Sequence, residues 1–478
     1  MAPPWVGAAA LLPALSLAAA ALLAVAMYAL SAVRRNLAVA RSYPQPRGVP
    51  VLGHLLHVLR PREDLFKMVR AFRRDLGSRF SIVCLFTPSF HISDPEAAEV
   101  SRNISKGRAY GFLEPWLGRG LLTSTGARWR SRRKLLTPAF HFRVLDQFTH
   151  HLEEHARRLV DDLDAAARAA SSAAVDVAPI VSRVTLRAIC VTAMGKVSFR
   201  TDASGQAMDE GPYFEAIHRM GSATVTRMTR PWLWPSVCFK LSALYKDFVR
   251  DLGTLHGFTD RVIAERKAKL PDDACDTGAD DEDVRPGRAR KQPRPFLDSL
   301  LGAQGAGADL TDEDIREEVD TFMFEGHDTT SVAVCWALEL LARHPDAQAR
   351  LAAELSALDA LDWESVSRLP YLDRVLKECL RLRPSVPFIS RYLEADAVLP
   401  DGQPTACRRR ALHPHALTVF TGKRFATMEL KLLLAAVVRR FHIGAAAEDV
   451  RVAAEDMFLA DLVLRPRAGV RLRLTARA

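Results

Sequence analysis

The chain has 478 residues, of which 49% are hydrophobic and 26% are charged, and this composition excludes an intrinsically disordered protein. Its formal net charge of +10 favours contact with anionic membrane surfaces or acidic partners. The basic residues are spread along the chain without a base-reading or stacking motif, so no nucleic-acid partner is predicted. Seven cysteines without paired spacing argue against a disulfide framework and a zinc ribbon, and they place the folded part in a reducing compartment.

An uncharged segment runs from Trp5 to Val33. It is long enough to cross the roughly 30 Å hydrocarbon layer as a tilted helix. Four arginines follow it closely, which by the positive-inside rule places the rest of the chain in the cytosol. The sequence therefore predicts a membrane anchor with a basic stop at residues 1–41. A cleaved signal peptide and a buried core helix are the alternatives. The length of the run and the lack of a preceding Lys or Arg argue against the signal peptide.

The next residues predict a hinge and then a small β structure. Residues 42–54 contain three prolines and two glycines, which cannot continue a helix and which indicate a semi-rigid hinge between anchor and body. Residues 79–93 predict two short strands around a turn at residues 87–89. At the end of the chain, residues 461–464 and 469–474 predict a hairpin.

Most of the remaining chain predicts helices. Residues 146–170 and 253–269, for example, carry apolar residues at helical spacing between charged ones. Residues 270–295 are first acidic and then basic, with Gly and Pro, and they indicate a flexible surface loop. The chain contains no internal repeat. The predicted fold class is mainly α with a small β component (α+β).

A long predicted helix covers residues 311–344 and has three acidic residues in its first turn. Its apolar middle contains polar side chains that are costly to bury without partners. Helical spacing brings Glu325, Asp328 and Thr329 to one face. Beside them, Gly326 leaves the backbone open to a flat ligand or an oxygen molecule. The alternative is a polar stripe satisfied by neighbouring helices.

Two further pairs have helical spacing. Trp129 and Arg133 place an indole donor and a guanidinium on one face, which suits a carboxylate-bearing ligand, although a basic helix lying on a membrane gives the same pattern. Glu378 and Arg381 lie one turn apart on a helix that stops before Pro384. Such a pair is also typical of a solvated surface.

Taken in order, these segments resemble the cytochromes P450. The resemblance is carried by Trp129-x-x-x-Arg133, by Glu325-Gly-His-Asp-Thr-Thr330, by Glu378-x-x-Arg381 and by Arg391 after Pro387. With the anchor and the hinge, it covers nearly the whole chain. The stretch Phe322-Met-Phe-Glu-Gly-His-Asp-Thr-Thr330 is similar to the branch that hydroxylates fatty acids and related lipids at or near the chain end.

The resemblance implies a cytochrome P450 fold over residues 55–478, with small β-sheets after an N-terminal transmembrane helix. It also implies a haem cofactor, a lipid substrate and electrons from NADPH through NADPH-cytochrome P450 reductase. The expected location is the endoplasmic reticulum membrane, with the catalytic domain on the cytosolic face.

The resemblance also implies roles for single residues. Trp129, Arg133 and Arg391 would bind the haem propionates. Asp328 and Thr329 would relay protons to dioxygen. Glu325 matches a glutamate that forms an ester with a haem methyl group in this branch, and a further pair would lock the core beneath the haem, namely Glu378 and Arg381.

The chain departs from the family where the haem ligand is expected. The family loop reads Phe-x-x-Gly-x-Arg-x-Cys-x-Gly and leads into a helix. That helix is present here from Gly422, but counting back from it places Phe420 at the cysteine position. Several tens of residues are also missing after Gly402, including a Pro-Glu-Arg-Phe segment whose Arg completes the core motif. The domain is therefore truncated around residues 403–421.

No other residue clearly replaces the missing thiolate, and no metal ligand is predicted. Cys407 lacks the neighbouring glycines that let the backbone pack on a porphyrin, although nearby arginines favour its thiolate. His413 and His415 form a short pair of the kind that is often incidental. Two functions stay open: a haem monooxygenase whose sequence is an incomplete gene model or splice product, and a haem-free, inactive membrane protein or binding module.

Overall fold

A computed structural model gives the structure of the chain. It describes residues 33–94, 105–171, 173–195, 210–269, 295–392, 422–446 and 457–477, with short pieces at 23–24, 27, 30–31, 397–398, 404–405 and 410–413. Most of the predicted anchor at 1–41 and of the predicted loop at 270–295 lies outside these residues. Within them, none of the helices combines the length and hydropathy needed to cross a bilayer.

Helices dominate the described residues. In chain order they are α1 (Leu55–Val58), α2 (Arg62–Leu76), α3 (Arg108–Gly111), α4 (Glu114–Leu117), α5 (Gly126–Leu136), α6 (Phe142–Leu145), α7 (Thr149–Ala169), α8 (Ala178–Thr192), α9 (Glu210–Thr229), α10 (Ser236–Lys240), α11 (Ala243–Lys267), α12 (Phe296–Gly305), α13 (Asp312–Arg343), α14 (Pro345–Ser356), α15 (Trp363–Ser367), α16 (Pro370–Leu382) and α17 (Lys423–Arg440). Short 3-10 turns occur at Thr137–Phe140, Asp146–Phe148 and Pro231–Leu233.

The strands are short. They are β1 (Arg79–Cys84), β2 (Thr87–Ile92), β3 (Val175–Asp176), β4 (Ile389–Tyr392), β5 (Ala397–Val398), β6 (Pro404–Thr405), β7 (Arg410–His413), β8 (Phe441–Ala445), β9 (Phe458–Ala460), β10 (Leu464–Pro466) and β11 (Arg471–Ala476). The predicted class, mainly α with small β-sheets, is confirmed. The chain forms two compact units: residues 1–59, 68–103 and 390–416 make the first, and residues 60–67, 104–389 and 417–478 make the second.

The first unit contains a four-stranded sheet in the order β1-β2-β7-β4. β1 and β2 pair antiparallel, and β2 pairs parallel to β7. The two strands predicted in residues 79–93 are therefore confirmed, but the turn predicted at residues 87–89 is wrong. The chain turns at Leu85–Phe86 instead, because Leu85 adopts a left-handed φ of 57° and Thr87 already pairs with Cys84.

The hinge at residues 42–54 is fastened to β1. Gln45 donates its side-chain amide to Ser81 Oγ at 2.9 Å, and the Nδ1 atom of His54 accepts from the Val83 amide at 2.8 Å. The other ring nitrogen, Nε2, lies 2.8 Å from Pro46 O, so this neutral imidazole carries its proton there. Burial lowers the pKa of His54, which keeps the ring neutral. The prolines stop the helix, as predicted, but side-chain hydrogen bonds hold the hinge against the sheet.

The second unit is built around α13, which packs on α8, α11 and α17. Thr311 and Asp314 form a capping box at its start, so the predicted helix at 311–344 is confirmed almost to the residue. In its second half Trp336 is fully buried and donates its indole N–H to Leu464 O at 2.7 Å. The helix predicted from Gly422 is likewise confirmed as α17. These two helices supply the long apolar surfaces of the core.

The hairpin predicted from residues 461–464 and 469–474 is wrong. β10 pairs with β9, whereas β11 pairs antiparallel with both β8 and β3. Alternating hydrophobicity marks a strand but not its partner. Here β8 follows α17 directly and pairs with β11. The local sequence around β11 does not show that β8 is its partner.

The Gly53 turn offers a test of the hinge attachment. Gly53 has φ +61°, and a Cβ there would lie 2.3 Å from Val83 O, whereas Gly77 has φ +93° with no atom within 4 Å of its Cβ position. We expect Gly53→Ala to weaken the first unit by roughly 1–3 kcal/mol, since it adds a backbone clash to the strain of a positive φ. Gly77→Ala is the matched control because it adds the strain alone. Hydrogen exchange of the Val49 and Leu85 amides measures the effect, and equal loss of protection in both variants would contradict this account.

Candidate functional site

The basic helix α5 is clamped to the start of α13 by one of its faces. The Nη2 atom of Arg128 lies 2.6 Å from Asp314 Oδ1 and 2.7 Å from Glu317 Oε2. One turn later, Arg132 Nη2 lies 2.7 Å from the same Asp314 oxygen. Arg132 is buried, and Arg128 is partly exposed. These ion pairs fix the rotation of α5 about its axis.

That rotation turns Trp129 and Arg133 to a different side, because each follows a clamped arginine by one helical step. They line a concave site of about 590 Å³. The other residues lining this site are Arg130, Lys134, Thr137, Pro138 and His141. Burial lowers the pKa of Arg133 from its ordinary value, and Lys106 Nζ lies 5.9 Å from the centre of the Trp129 ring. Basic residues therefore surround an open site beside an indole, and their cationic ends suit an anionic group.

On α13, Glu325 is partly buried. Burial raises the pKa of its carboxyl to about 7, against the opposing charge of Lys106. Thr329, one turn on, donates its hydroxyl to Glu325 O at 2.7 Å. The structure thus brings these two predicted residues together through the backbone of one helical turn. At neutral pH the Glu325 carboxyl is poised to hold or release a proton.

The surroundings of Gly326 differ from the open surface that the sequence predicted. A Cβ at this position would lie 2.7 Å from Ile189 Cδ1, so the bare side of the glycine faces the Ile189 side chain of α8. The open approach to the backbone predicted for a flat ligand is filled by this aliphatic contact. Gly326 therefore allows α13 and α8 to pack closely.

Asp328 is buried with 2% exposure and pairs with Arg465 of β10. The Nη2 atom of Arg465 lies 2.7 Å from both carboxylate oxygens. On the far side, Arg465 Nε lies 3.4 Å from Asp461 Oδ2, which is 3.1 Å from Arg62 Nη2. Burial raises the pKa of Asp461 even though two guanidinium groups oppose it. We call Asp328, Arg465, Asp461 and Arg62 the buried charge chain.

Sequence reasoning singled out only Asp328 of these four residues. Arg465 lies 137 positions further along the chain. Its one local signal is a charged residue inside the apolar run Leu462-Val-Leu-Arg-Pro466, where an unpaired guanidinium would be costly to bury. Arg62 and Asp461 carry no signal of this kind.

Two more buried acids of α13 were not predicted either. Glu318 accepts from the Leu121 amide at 3.0 Å, and burial raises the pKa of its carboxyl to about 7. Asp320 lies 3.6 Å from His256 Nε2, and burial raises its pKa to about 8. α13 therefore carries several carboxyl groups that take up protons near neutral pH.

Glu378 and Arg381 form a two-point ion pair with N–O distances of 2.6 and 2.7 Å. Their side chains are 53% and 66% exposed. α16 buries Leu372, Val375, Leu376 and Cys379 and turns this pair to solvent, so the described structure does not show the buried lock implied by the family resemblance. Arg391 belongs to the first unit, where its Nη1 donates to Ser390 O at 3.1 Å. Its role in haem binding stays a prediction.

The residues present fit only part of a haem site. The cationic surface at Trp129 and Arg133 suits propionates, but Phe420, Cys407 and His415 lie outside the described residues. Burial raises the pKa of the Cys335 thiol and raises that of Cys379 to about 12, so both stay protonated. Among the described residues there is also no cluster of three or more His, Cys, Asp or Glu side chains able to hold a metal. These two buried cysteines therefore offer no thiolate for the iron.

The buried charge chain predicts strong coupling between Asp328 and Arg465. Each single substitution, Asp328→Asn or Arg465→Met, should destabilise the second unit by about 3–5 kcal/mol, because it leaves its partner buried without a counter-charge. The double variant should lose much less than the sum. Urea denaturation followed by tryptophan fluorescence measures all four proteins, since Trp336 donates to Leu464 beside Arg465.

The control for this cycle is the exposed pair. Glu378→Gln and Arg381→Met should leave the denaturation midpoint nearly unchanged, because solvent already surrounds both groups. Additive losses at Asp328 and Arg465 would show that the two side chains are not coupled.

The raised pKa of Glu325 predicts that the stability of the folded chain changes with pH near neutrality. The pKa in the folded chain is about 7, above the ordinary value of 4.5, so the folded state binds the extra proton. The stability of the native chain relative to Glu325→Gln should therefore be greatest below pH 4.5 and fall as the pH rises through 7. Lys106→Met should extend this fall to higher pH, because it removes the cation that favours ionised Glu325. Denaturation midpoints from pH 4 to 8 measure it, with exposed Glu378→Gln as control. A difference that does not change with pH would show that Glu325 titrates normally.

Comparison with known proteins identifies the family of the chain. A profile described as Cytochrome P450 matches residues 43–404, and the match ends near residue 403, where the sequence predicts that the truncation begins. Cytochrome P450 4c3 of Drosophila melanogaster is 34% identical over 91% of this chain and 89% of its own length. Cytochrome P450 4V2 of Mus musculus is 34% identical over 97% of this chain and 95% of its own.

Cytochrome P450 4V2 of Homo sapiens is 33% identical over 97% of this chain and 95% of its own length. That alignment runs over 522 positions, more than the 478 residues of this chain, so it contains gaps of several tens of positions opposite the chain. The chain belongs to the cytochrome P450 family of monooxygenases, and its relatives lie in family 4.

Proposed function

We propose that the gene for this chain encodes a haem monooxygenase that hydroxylates fatty acids or related lipids, and that the 478-residue chain is a product lacking the ligand segment. The observation that carries the proposal is that the chain is well folded on both sides of the missing segment. α17 after it is fully helical with a buried apolar face, and α13 before it holds its acid in a buried charge chain. A sequence that had long lost its function would be expected to lose such costly buried charges.

In this proposal Trp129 and Arg133 receive the propionates, since they share one concave cationic surface. Asp328 and Thr329 are the proton-carrying pair, with Arg465 holding the carboxylate in place. Glu325 is the residue that would carry the ester to a haem methyl group implied by the family resemblance. Its pKa near 7 leaves part of the carboxyl ionised, and the C–O bond would form only together with a two-electron oxidation of that methyl group, which the bound haem would supply. A thiolate-ligated haem supplies the oxygen chemistry of this family when it is bound.

The proposed partners are NADPH-cytochrome P450 reductase, which supplies electrons, and a lipid substrate. The proposed location is the endoplasmic reticulum membrane. Support comes from the uncharged segment at residues 5–33, from the arginines that follow it, and from the family 4 relatives. A membrane-bound enzyme meets its lipid substrates at high local concentration.

The ligand segment gives the decisive experiment. Full-length transcripts should contain a Phe-x-x-Gly-x-Arg-x-Cys run before Gly422. The chain as written and the restored chain are expressed with haem, reduced and treated with carbon monoxide. Only the restored chain should show the red-shifted Soret band of thiolate ligation, and only it should hydroxylate a fatty acid with reductase and NADPH.

Controls separate the outcomes. Replacing the restored cysteine by alanine should remove the band, because the thiolate is then absent. Should the chain as written show the band and Cys407→Ser abolish it, Cys407 is the ligand and the gap is not inactivating. Should several independent transcripts match the present junction, the proposal fails in favour of a haem-free protein.

A further inference from the structure

Arg227 is a buried arginine near the end of α9, where the chain turns towards α10. The residue is 6% exposed, and its Nε donates to Leu233 O at 3.0 Å. Its Nη2 lies 3.4 Å from Trp234 O, which is long for a hydrogen bond. A guanidinium has five N–H donors, so these contacts leave hydrogen-bonding capacity for a further acceptor.

Aromatic rings surround this guanidinium. The Cζ atom of Arg227 lies 4.1 Å from the ring centre of Phe239 in α10 and 4.8 Å from that of Phe112, which follows α3. The Phe112 ring lies 6.5 Å from the Trp234 ring, centre to centre. A second guanidinium, that of Arg108 in α3, lies 5.1 Å from the centre of the Trp234 ring. We call these five residues the arginine-aromatic cluster.

The buried charge of the cluster has no counter-charge. Arg132 and Arg465 are buried as well, and a carboxylate oxygen lies 2.7 Å from each of them. Within the described ranges no acid pairs with Arg227 in this way, and burial alone lowers its pKa from the ordinary value. Ring faces and backbone carbonyls offset part of the cost of burying this cation. An anion at the cluster would offset more of it.

The chemistry of the cluster identifies that anion. A planar guanidinium matches a planar carboxylate, to which it donates two parallel hydrogen bonds. The three rings offer apolar surface for an alkyl chain, which a small inorganic anion would not use. Arg108 is exposed and Trp234 is partly exposed, so a ligand reaches the cluster from their side. A carboxylate at the end of an alkyl chain uses both the cations and the rings.

We propose that the arginine-aromatic cluster binds the carboxylate of a free fatty acid, with Arg227 and Arg108 as donors and the rings packed on the adjacent methylene groups. This inference rests on the proposed function and deepens it. It makes the free acid the preferred substrate over a neutral lipid such as an alcohol or an ester. Arg227 is then a specificity-determining residue for the end of the substrate opposite to the hydroxylated one.

The test uses the full 478-residue chain in phosphatidylcholine nanodiscs, because this binding needs no haem. Dodecanoate and dodecanol are titrated by calorimetry, and uptake by empty discs is subtracted. Dodecanoate should bind roughly tenfold more tightly, since a charge-assisted hydrogen bond is stronger than a neutral one. Arg227→Gln should remove this preference, because it weakens dodecanoate roughly tenfold and leaves dodecanol nearly unchanged.

Further variants separate binding from folding. Arg227→Lys keeps the charge and should restore part of the preference for the acid. Arg108→Gln should weaken dodecanoate without changing the urea midpoint, because Arg108 is exposed. Arg230→Gln is the matched control, since Arg230 lies three residues further on in the same segment and is a cation outside the cluster. This control should bind both ligands as the native chain does.

Equal affinities of the native chain for the acid and the alcohol would overturn the inference. Loss of both ligands in Arg227→Gln with native binding in Arg108→Gln would also overturn it, because Arg227 then only supports the fold. Dodecyl phosphate is the third ligand. If Arg227→Gln weakens dodecyl phosphate roughly tenfold but leaves dodecanoate unchanged, the cluster binds a phosphate headgroup and the inference fails.

These outcomes are separate from the carbon monoxide spectrum that tests the proposed function. A preference for the acid that Arg227→Gln removes supports the cluster even where the restored chain shows no thiolate band. A restored chain that hydroxylates a fatty acid while the native chain binds acid and alcohol equally supports the proposed function and overturns this inference.

Discussion

The buried charge chain joins three parts of the second unit that are far apart in sequence. Arg62 lies at the start of α2, Asp328 lies in the middle of α13, and Asp461 and Arg465 lie around the β9–β10 turn. Removing any one of these charges from water would be strongly unfavourable by itself. Acidic and basic side chains alternate along the buried charge chain, so each charged group has a neighbour of opposite sign. Burial of the Asp328 carboxylate of α13 therefore depends on the packing of the C-terminal strand that carries Arg465.

The basic residues of α5 also fall into two groups with different contacts. Arg128 and Arg132 stabilise the fold, because they pair with acids in the first two turns of α13. Their neighbours Trp129 and Arg133 are thereby placed on the concave surface together with Arg130 and Lys134. A run of basic residues that looks uniform in sequence is therefore split by helical geometry into a face that pairs with α13 and a face that lines the concave surface. The surface that results gathers basic residues beside the Trp129 indole.

In the first unit, the proline-containing hinge is part of the folded structure. Its hinge is held on β1 by Gln45 and His54 and therefore does not swing freely. The prolines of residues 42–54 by themselves indicate a spacer. The hydrogen bonds of Gln45 and His54 show that this segment packs on β1 as part of the folded unit.

The sequence by itself determined the family, the helical class, and the bounds of α13 and α17, because capping residues and apolar periodicity act over a few positions. It also showed that no cysteine precedes α17 at the expected position, and it predicted which residues of α13 take part in the chemistry. Only the tertiary structure decided that Arg465 holds Asp328, that Ile189 fills the space at Gly326, that Glu378 and Arg381 face solvent, and that β11 pairs with β8. The physical reason is range: local patterns specify conformation and polarity, whereas the partner of a charge, a strand or a bare glycine is chosen by packing between segments that are distant in the sequence.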